Sequence, residues 1–223
     1  GTPVTAPGVG GLTSVVEFRR IAIVNRGEAA MRLVNEHGYH GASVDRIAAR
    51  LRLTKGSFYH HHETKEELVA ACFERTFAVM RKAQTAALEA RGSGLDRLAM
   101  ACRALLAFQM STQGPLLRVT AWTGLPEAWR SDARRTMARL GERFATLVID
   151  GMADGSLRVV DPSVAAQVVN GMINAAAELE RWARGVDADN VFQLYAMPIF
   201  TGLHEPARAQ QAAPAHERIR RAR

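Results

Sequence analysis

Apolar residues recur at helical intervals along almost all of this 223-residue chain, whereas signals for β-strands are scarce. The β-branched residues come singly or in pairs, and no Asn-Gly or Asp-Gly turn separates two alternating runs, as a hairpin would require. Hydrophobic residues make up 48% of the sequence, which is enough for a core between packed helices. The pattern therefore predicts an all-α protein.

Capping residues and glycines set the predicted helix boundaries. A first helix, RGEAAMRLVNEH, is expected to stop at Gly38, because glycine readily ends helices. Ser43 is the expected cap of a short helix, VDRIAAR, and Thr54 of a second one, KGSFYHH. Thr64, with Glu67 three residues later, forms a capping-box pattern that opens a long helix. Short helices therefore fill the first third of the chain.

The remaining helices are predicted to be longer and more apolar. Asp161 followed by Pro162 is typical of a helix start, with the carboxylate as cap and the proline in the first turn. Pro198 lies near the middle of the last predicted helix, NVFQLYAMPIFTGLH, and its missing N–H predicts a kink. Residues 1–17 and 206–223 lack the helical pattern, and we expect a flexible lead-in and a disordered basic tail.

The short-helix region has the charge and the chemistry of a DNA-binding module. Residues 19–65 contain nine Lys or Arg against four Asp or Glu, in a chain whose formal charge is +7. Two short helices joined by Leu-Arg-Leu have the dimensions of a helix-turn-helix, whose second helix enters the major groove. That helix would begin with Lys55, Gly56 and Ser57, which combine a cation, close backbone approach and a hydrogen-bonding group.

The segment GYHGASVDRIAARLRLTKGSFYHHHETKEELV, residues 38–69, closely resembles the DNA-binding region of TetR-family transcriptional regulators. The resemblance implies a homodimer that binds a palindromic double-stranded DNA operator. It also implies a C-terminal helical domain with a small-molecule pocket, where the bound effector lowers DNA affinity. The residues expected to face DNA are Ser43, Arg46, Arg52, Thr54, Lys55, Gly56, Ser57, Tyr59, His60 and Lys65.

The resemblance implies two domains and a regulatory function. We predict a helix-turn-helix domain over residues 18–66 and a helical ligand-binding and dimerisation domain over residues 67–205. The expected protein is a cytoplasmic repressor without a cofactor. It is not expected to be an enzyme, because the sequence has no Gly-x-Ser-x-Gly, His-Glu-x-x-His, Cys-x-x-Cys or phosphate-binding glycine loop. The alternative is a helical small-molecule-binding protein that does not read DNA.

Three departures from the family pattern leave local questions open. Arg52 stands in the turn where the family usually has glycine, so either the turn differs or the arginine contacts a phosphate. His62 replaces a usual phenylalanine. Arg26-Gly27 replaces two apolar residues, and the surrounding FRRIAIVNRGEAAMRLV is similar to the opening strand, loop and helix of biotin carboxylases. The structure of residues 18–27 therefore stays open.

Three consecutive histidines, His60, His61 and His62, raise the alternative of a metal site. Successive helical residues point about 100° apart, so the three imidazoles cannot face one ion, and we predict no metal. The two cysteines, Cys72 and Cys102, lie in apolar runs and are expected to be buried thiols in a reducing compartment. No apolar run approaches the roughly 18 residues of a membrane span, and no membrane association is expected.

A ligand pocket is expected among the C-terminal helices, where aromatic and methionine residues cluster. We predict that Phe108, Trp122 and Asn174 line it. Few cationic residues interrupt these stretches, which favours a neutral or lipophilic ligand. Polar groups within apolar stretches need a partner from the protein or a ligand. They are Gln109, Asn170, Asn174 and Glu178.

Small and apolar residues on the last two predicted helices favour a two-fold interface between subunits. Packing within one chain is the alternative for the same residues. The candidates are Val168, Gly171, Met172, Ala175, Ala176, Leu179, Phe192, Tyr195, Ile199 and Phe200.

Overall fold

The computed structural model describes residues 29–50, 52, 54, 56 and 64–203. Every regular element of three or more residues in these ranges is helical, which confirms the predicted all-α class. Much of the second predicted short helix lies outside the described residues.

Two helices begin the described chain. Helix α1 covers residues 29–41, and helix α2 covers Val44–Arg50. The predicted stop at Gly38 is three residues early: Gly38 is left-handed, with φ of 72°, yet helical pairing resumes and the N–H of Ala42 donates to the Gly38 carbonyl. Ser43 caps α2 as predicted, because its hydroxyl accepts from the N–H of Arg46 at 3.2 Å.

Helix α3, Lys65–Glu89, opens with the predicted capping box. The Thr64 hydroxyl accepts from the Glu67 N–H at 3.1 Å, and the Glu67 carboxylate accepts from the Thr64 N–H at 3.3 Å. These bonds satisfy two polar groups at the helix start. The position at which α3 begins is therefore fixed by local sequence.

Helix α4, Gly94–Met110, packs closely against helix α5, Glu127–Ala153. A Cβ added at Gly94 would lie 2.1 Å from the backbone nitrogen of Gly151. Glycine is therefore required where the two helices meet. A short 3₁₀ helix, Val119–Gly124, lies between α4 and α5.

Helix α6, Pro162–Ala175, begins as predicted, with the Asp161 carboxylate accepting from the Val164 N–H at 2.9 Å. The helix tightens into a 3₁₀ turn, Ala176–Glu178, before the short helix α7, Leu179–Trp182.

The last helical segment contains a π-helical turn, Phe192–Ala196, followed by helix α8, Met197–Leu203. Pro198 has no N–H to donate back along the helix. The turn before it shifts register, and the N–H of Met197 donates to the Phe192 carbonyl five residues earlier. The irregularity expected at Pro198 therefore takes the form of a π turn beside it.

Two clusters of buried apolar residues form the core. The larger cluster joins α4, α5, α6 and the last helices. The smaller cluster, which we call the reader core, combines α1, α2 and the first half of α3 with residues 117–140. Residues from both sides of the predicted boundary at residue 66 therefore pack in one cluster.

Candidate functional site

The residues expected to face DNA are described only in part. Arg46, Arg52, Thr54 and Gly56 are exposed, and Ser43 is half-buried. The Arg46 guanidinium also donates to the carbonyl of Gly41 at 3.3 Å. The others expected on this surface, apart from Lys65, lie outside the described residues. They are Lys55, Ser57, Tyr59 and His60, and the adjoining His61 and His62 lie outside as well.

Arg52 adopts the left-handed backbone conformation that the family usually assigns to glycine, with φ of 54°. Its N–H donates to the carbonyl of Ala49 at 3.0 Å. A residue with a Cβ pays roughly 1 kcal/mol in this conformation. Arg52 therefore takes a conformation that glycine adopts more readily, and its side chain is exposed.

Lys65 joins the start of α3 to Tyr39 of α1. Its ammonium donates to the Tyr39 carbonyl and lies 4.1 Å from the centroid of the Tyr39 ring. The Tyr39 hydroxyl donates to the Glu66 carboxylate, and this bond is the main reason why the Glu66 pKa is lowered. Burial is the main cause of the raised Tyr39 pKa and of the lowered Lys65 pKa. Lys65 thus has protein partners, and its predicted phosphate contact would use a further donor.

Within the described ranges, no group of three or more His, Cys, Asp or Glu residues is placed to hold a metal ion. Cys72 and Cys102 are buried free thiols, and burial raises the Cys72 pKa to about 12. Such thiols are unreactive packing groups. None of the described helices is both long and apolar enough to cross a membrane.

A cavity of about 820 Å³ lies among α3, α5, α6 and residues 117–120. Its size falls within the range of small-molecule sites. Phe73, Phe77 and Met80 form an apolar wall on α3. Gly141 lines the cavity from α5, and a Cβ added there would meet no atom within 4 Å.

Of the three residues predicted to line the pocket, Asn174 lines the cavity. Phe108 instead packs against the larger core, and Trp122 packs against the reader core, 5.6 Å from the Arg134 guanidinium. The aromatic wall of α3 was missed because Phe73 and Phe77 have the spacing of ordinary core residues.

Three of the four polar groups noted within apolar stretches have protein partners. The Gln109 amide donates to the Ile173 carbonyl and accepts from the Leu116 N–H. Asn174 donates to the Asn170 carbonyl, and Glu178 binds the Arg118 guanidinium. The fourth differs: among the described residues, no group donates to the buried Oδ1 of Asn170.

Asn35 of α1 holds residues 116–118, which we call the strap, through both sides of its amide. Its Nδ2 donates to the Leu116 carbonyl and its Oδ1 accepts from the Arg118 N–H, both at 2.9 Å. The Leu117 N–H donates to the Thr76 hydroxyl of α3 at 3.0 Å. Leu117 and Arg118 also line the cavity. The cavity wall is therefore bonded directly to the first helix of the DNA-binding module.

Large apolar side chains remain exposed on α6 and beyond, including Val164, Val168, Trp182 at 80% and Leu194 at 60%. Of the candidate interface residues, Val168, Gly171 and Ala175 are exposed. Other candidates pack inside the larger core, which agrees with the alternative of packing within one chain. They are Met172, Ala176, Leu179, Phe192 and Phe200.

Comparison with known sequences gives two matching family profiles. Residues 28–72 match the profile described as bacterial regulatory proteins, tetR family. Residues 91–182 match the tetracyclin repressor-like C-terminal domain.

Curated relatives and solved structures agree with these profiles. The Transposon Tn10 TetC protein of Escherichia coli is 40% identical over 47 residues, which are 21% of this chain and 24% of that protein. The HTH-type transcriptional repressor DhaR of Mycobacterium sp. (strain GP1) is 26% identical over 133 residues, 59% of this chain and 67% of DhaR. The structure of AibR with isovaleryl coenzyme A and operator DNA has a TM-score of 0.63 and 21% identity, covering 83% of this chain and 99% of AibR.

Proposed function

Because this chain belongs to the TetR family of bacterial transcriptional regulators, we propose that it is a homodimeric repressor released from a palindromic operator by an effector bound in the cavity. Members of this family are DNA-binding regulators and not enzymes. The repressor role is supported by the name of DhaR, and operator binding by the AibR complex. Since an operator lies on the chromosome, we expect the protein to work in the cytoplasm.

On the DNA side, the proposal is supported by the basic surplus of residues 19–65 and by the exposed Arg46 and Arg52. Phosphate contacts from such cations supply affinity and register, whereas base edges are read from the second short helix. Lys55, Ser57 and Tyr59 stay our candidates for that helix.

On the effector side, one observation carries the proposal: the strap lines the cavity and is hydrogen-bonded to α1 through Asn35 and to α3 through Thr76. A molecule that displaces Leu117 must strain these bonds or move the helices that hold them. An effector acts only through its difference in affinity between the two arrangements. We infer that displacement of the strap changes the spacing of the two DNA-reading helices.

The dimer is supported by the exposed apolar side chains of α6 and the residues that follow. Val164, Val168, Gly171 and Ala175 recur on one side of α6, and Trp182 extends the same apolar character. Large exposed apolar patches mark interaction sites. A second copy of the chain is the expected occupant, because a palindromic operator requires a two-fold protein.

Gel shift with genomic fragments at increasing salt tests the DNA-reading part of this function. We expect a sequence-selective shift, lost in Lys55→Ala or Tyr59→Phe. Lys65→Ala should weaken binding to all DNA about equally and lower the salt slope by about one. If no fragment is selected at any salt concentration, the alternative of a ligand-binding protein that does not read DNA is supported.

A further inference from the structure

Four uncharged polar residues lie at helical intervals on the cavity side of α6. They are Ser163, Gln167, Asn170 and Asn174, spaced by four, three and four residues. At 100° per residue these positions share one face, which we call the amide stripe. At 1.5 Å per residue, it is about 16 Å long. The cavity therefore offers hydrogen bonds along a line instead of at a single point.

The facing lining has the opposite character. Phe73, Phe77 and Met80 of α3 are spaced by four and three residues, and they present aromatic and thioether groups. Met137 of α5 adds a further apolar side chain. A ligand that fits both sides has one apolar face and polar groups along one edge.

The two cationic groups at the cavity already have partners of opposite charge, and the third charged residue of the lining, Glu142, is an exposed carboxylate. Arg118 is bound to Glu178. Arg134 lies 4.0 Å from Glu127 and is 64% exposed. An anionic ligand would therefore have to compete with existing carboxylates for both guanidinium groups.

Asn170 identifies the hydrogen bond that is missing. Its Oδ1 is buried and accepts no bond among the described residues. An unpartnered buried acceptor is unfavourable, and the terminal torsion of asparagine is broad, so the amide can turn towards a donor in the cavity it lines. A ligand N–H or O–H would supply what the protein lacks.

We propose that the effector is an elongated, uncharged amphipathic molecule whose apolar face lies on α3 and whose hydroxyl or amide groups lie along the amide stripe, with one of them donating to Asn170. This inference rests on the proposed function of the cavity as the effector site. It narrows the neutral or lipophilic ligand expected from the sequence to one that carries at least one hydrogen-bond donor.

Three matched probes test the chemistry: dodecanol, its methyl ether and dodecanoate, with affinity measured by calorimetry on the full chain. They share one apolar chain and differ in carrying a donor, an acceptor only, or a charge. Dodecanol should bind about three- to tenfold more tightly than the ether, the effect of one hydrogen bond, and more tightly than dodecanoate. Asn170→Leu should abolish this preference, whereas Asn170→Ser, which keeps an oxygen acceptor, should retain part of it.

Gly141→Leu locates the binding, because its side chain would fill cavity space, and Thr146→Leu on an exposed side of the same helix is its control. Tightest binding of dodecanoate, no binding of any probe, or a preference that survives Asn170→Leu would overturn the inference. If all three probes bind equally and Gly141→Leu blocks their binding, the proposed ligand class is wrong but the cavity is still the effector site. Selective binding of dodecanol without any loss of operator affinity counts against the proposed function and leaves the chemistry standing.

Discussion

Tyr39 is the residue through which the start of α3 is held to α1. Its hydroxyl binds Glu66, its carbonyl binds Lys65, and its ring lies beneath the Lys65 ammonium. Side-chain and backbone atoms of one residue thus contact both residues that follow the cap Thr64. The orientation of α3 relative to α1 therefore depends on a small polar cluster as well as on the reader core.

Tyr39→Phe should remove the bond to Glu66 while keeping the ring beneath Lys65. The Glu66 pKa, which is lowered from 4.5 in the native protein, should rise towards that value. A lowered folded-state pKa contributes stability above the unfolded-state pKa, and this contribution is lost as pH falls through the folded-state value. Carboxyl NMR titration measures the pKa, and urea unfolding should show the stability gap between native and variant narrowing on acidification. An unchanged Glu66 pKa would contradict this account.

At the scale of the helix, two glycines differ in whether there is room for a side chain. Gly94 meets the Gly151 backbone, whereas Gly141 faces open space in the cavity. Gly94→Ala should destabilise the protein by about 1–3 kcal/mol, because α4 and α5 must separate. Gly141→Ala should instead stabilise it by about 1 kcal/mol through helix propensity. Thermal and urea unfolding of both variants measure the change in stability. If both substitutions change the stability in the same direction and by a similar amount, the contact between α4 and α5 is less close than described.

Helix starts could be predicted because their causes lie within a few residues. Ser43, Thr64 and Asp161 each accept a bond from an N–H three residues along the chain. A pocket was expected, but its position and most of its lining could not be predicted in the same way, because they depend on where three helices distant in sequence stop packing. Phe73 on a cavity wall and Phe144 in the larger core both lie in apolar runs with helical spacing, and spacing alone does not separate them. The strap was also missed, since a bond across 81 residues from Asn35 to Leu116 leaves no local pattern.

At the scale of the whole molecule, the strap is a hydrogen-bonded connection between the cavity and helix α1. Asn35→Leu should leave the Leu116 carbonyl and the Arg118 N–H without their side-chain partner, and we expect a loss of about 2 kcal/mol in unfolding free energy. The factor by which dodecanol lowers operator affinity should also fall by at least threefold, from the roughly five- to 150-fold that is typical of allosteric coupling.

Asp154→Ala is the control for this loss of coupling. Asp154 accepts from the Gly94 N–H at 2.6 Å, at the start of α4, so its removal disturbs structure without touching the strap. Operator titration with and without dodecanol compares the two variants. If dodecanol lowers operator affinity by the same factor in Asn35→Leu and Asp154→Ala, the effect of the ligand reaches the DNA-binding helices through α3 alone.

Subunit pairing should depend on the exposed apolar side of α6. Val168→Glu would place an uncompensated charge in the proposed interface, which costs several kcal/mol when buried, and dimerisation should weaken at least tenfold. Val159→Glu is the matched control, since Val159 is 91% exposed and lies between α5 and α6. Sedimentation velocity measures both variants. If the Val168→Glu variant still forms dimers, the subunit interface does not lie on this side of α6.

The reader core makes the DNA-binding segment a poor candidate for exchange between regulators. Val34, Ile47 and Phe73 share their packing with Leu117 and Leu140 from far along the chain. In a chimaera joined at residue 66, the reader-core residues on each side of the joint would lose their native packing partners. New pairings of operator and effector would then require compensating changes across the graft, so in this lineage both specificities are expected to evolve together.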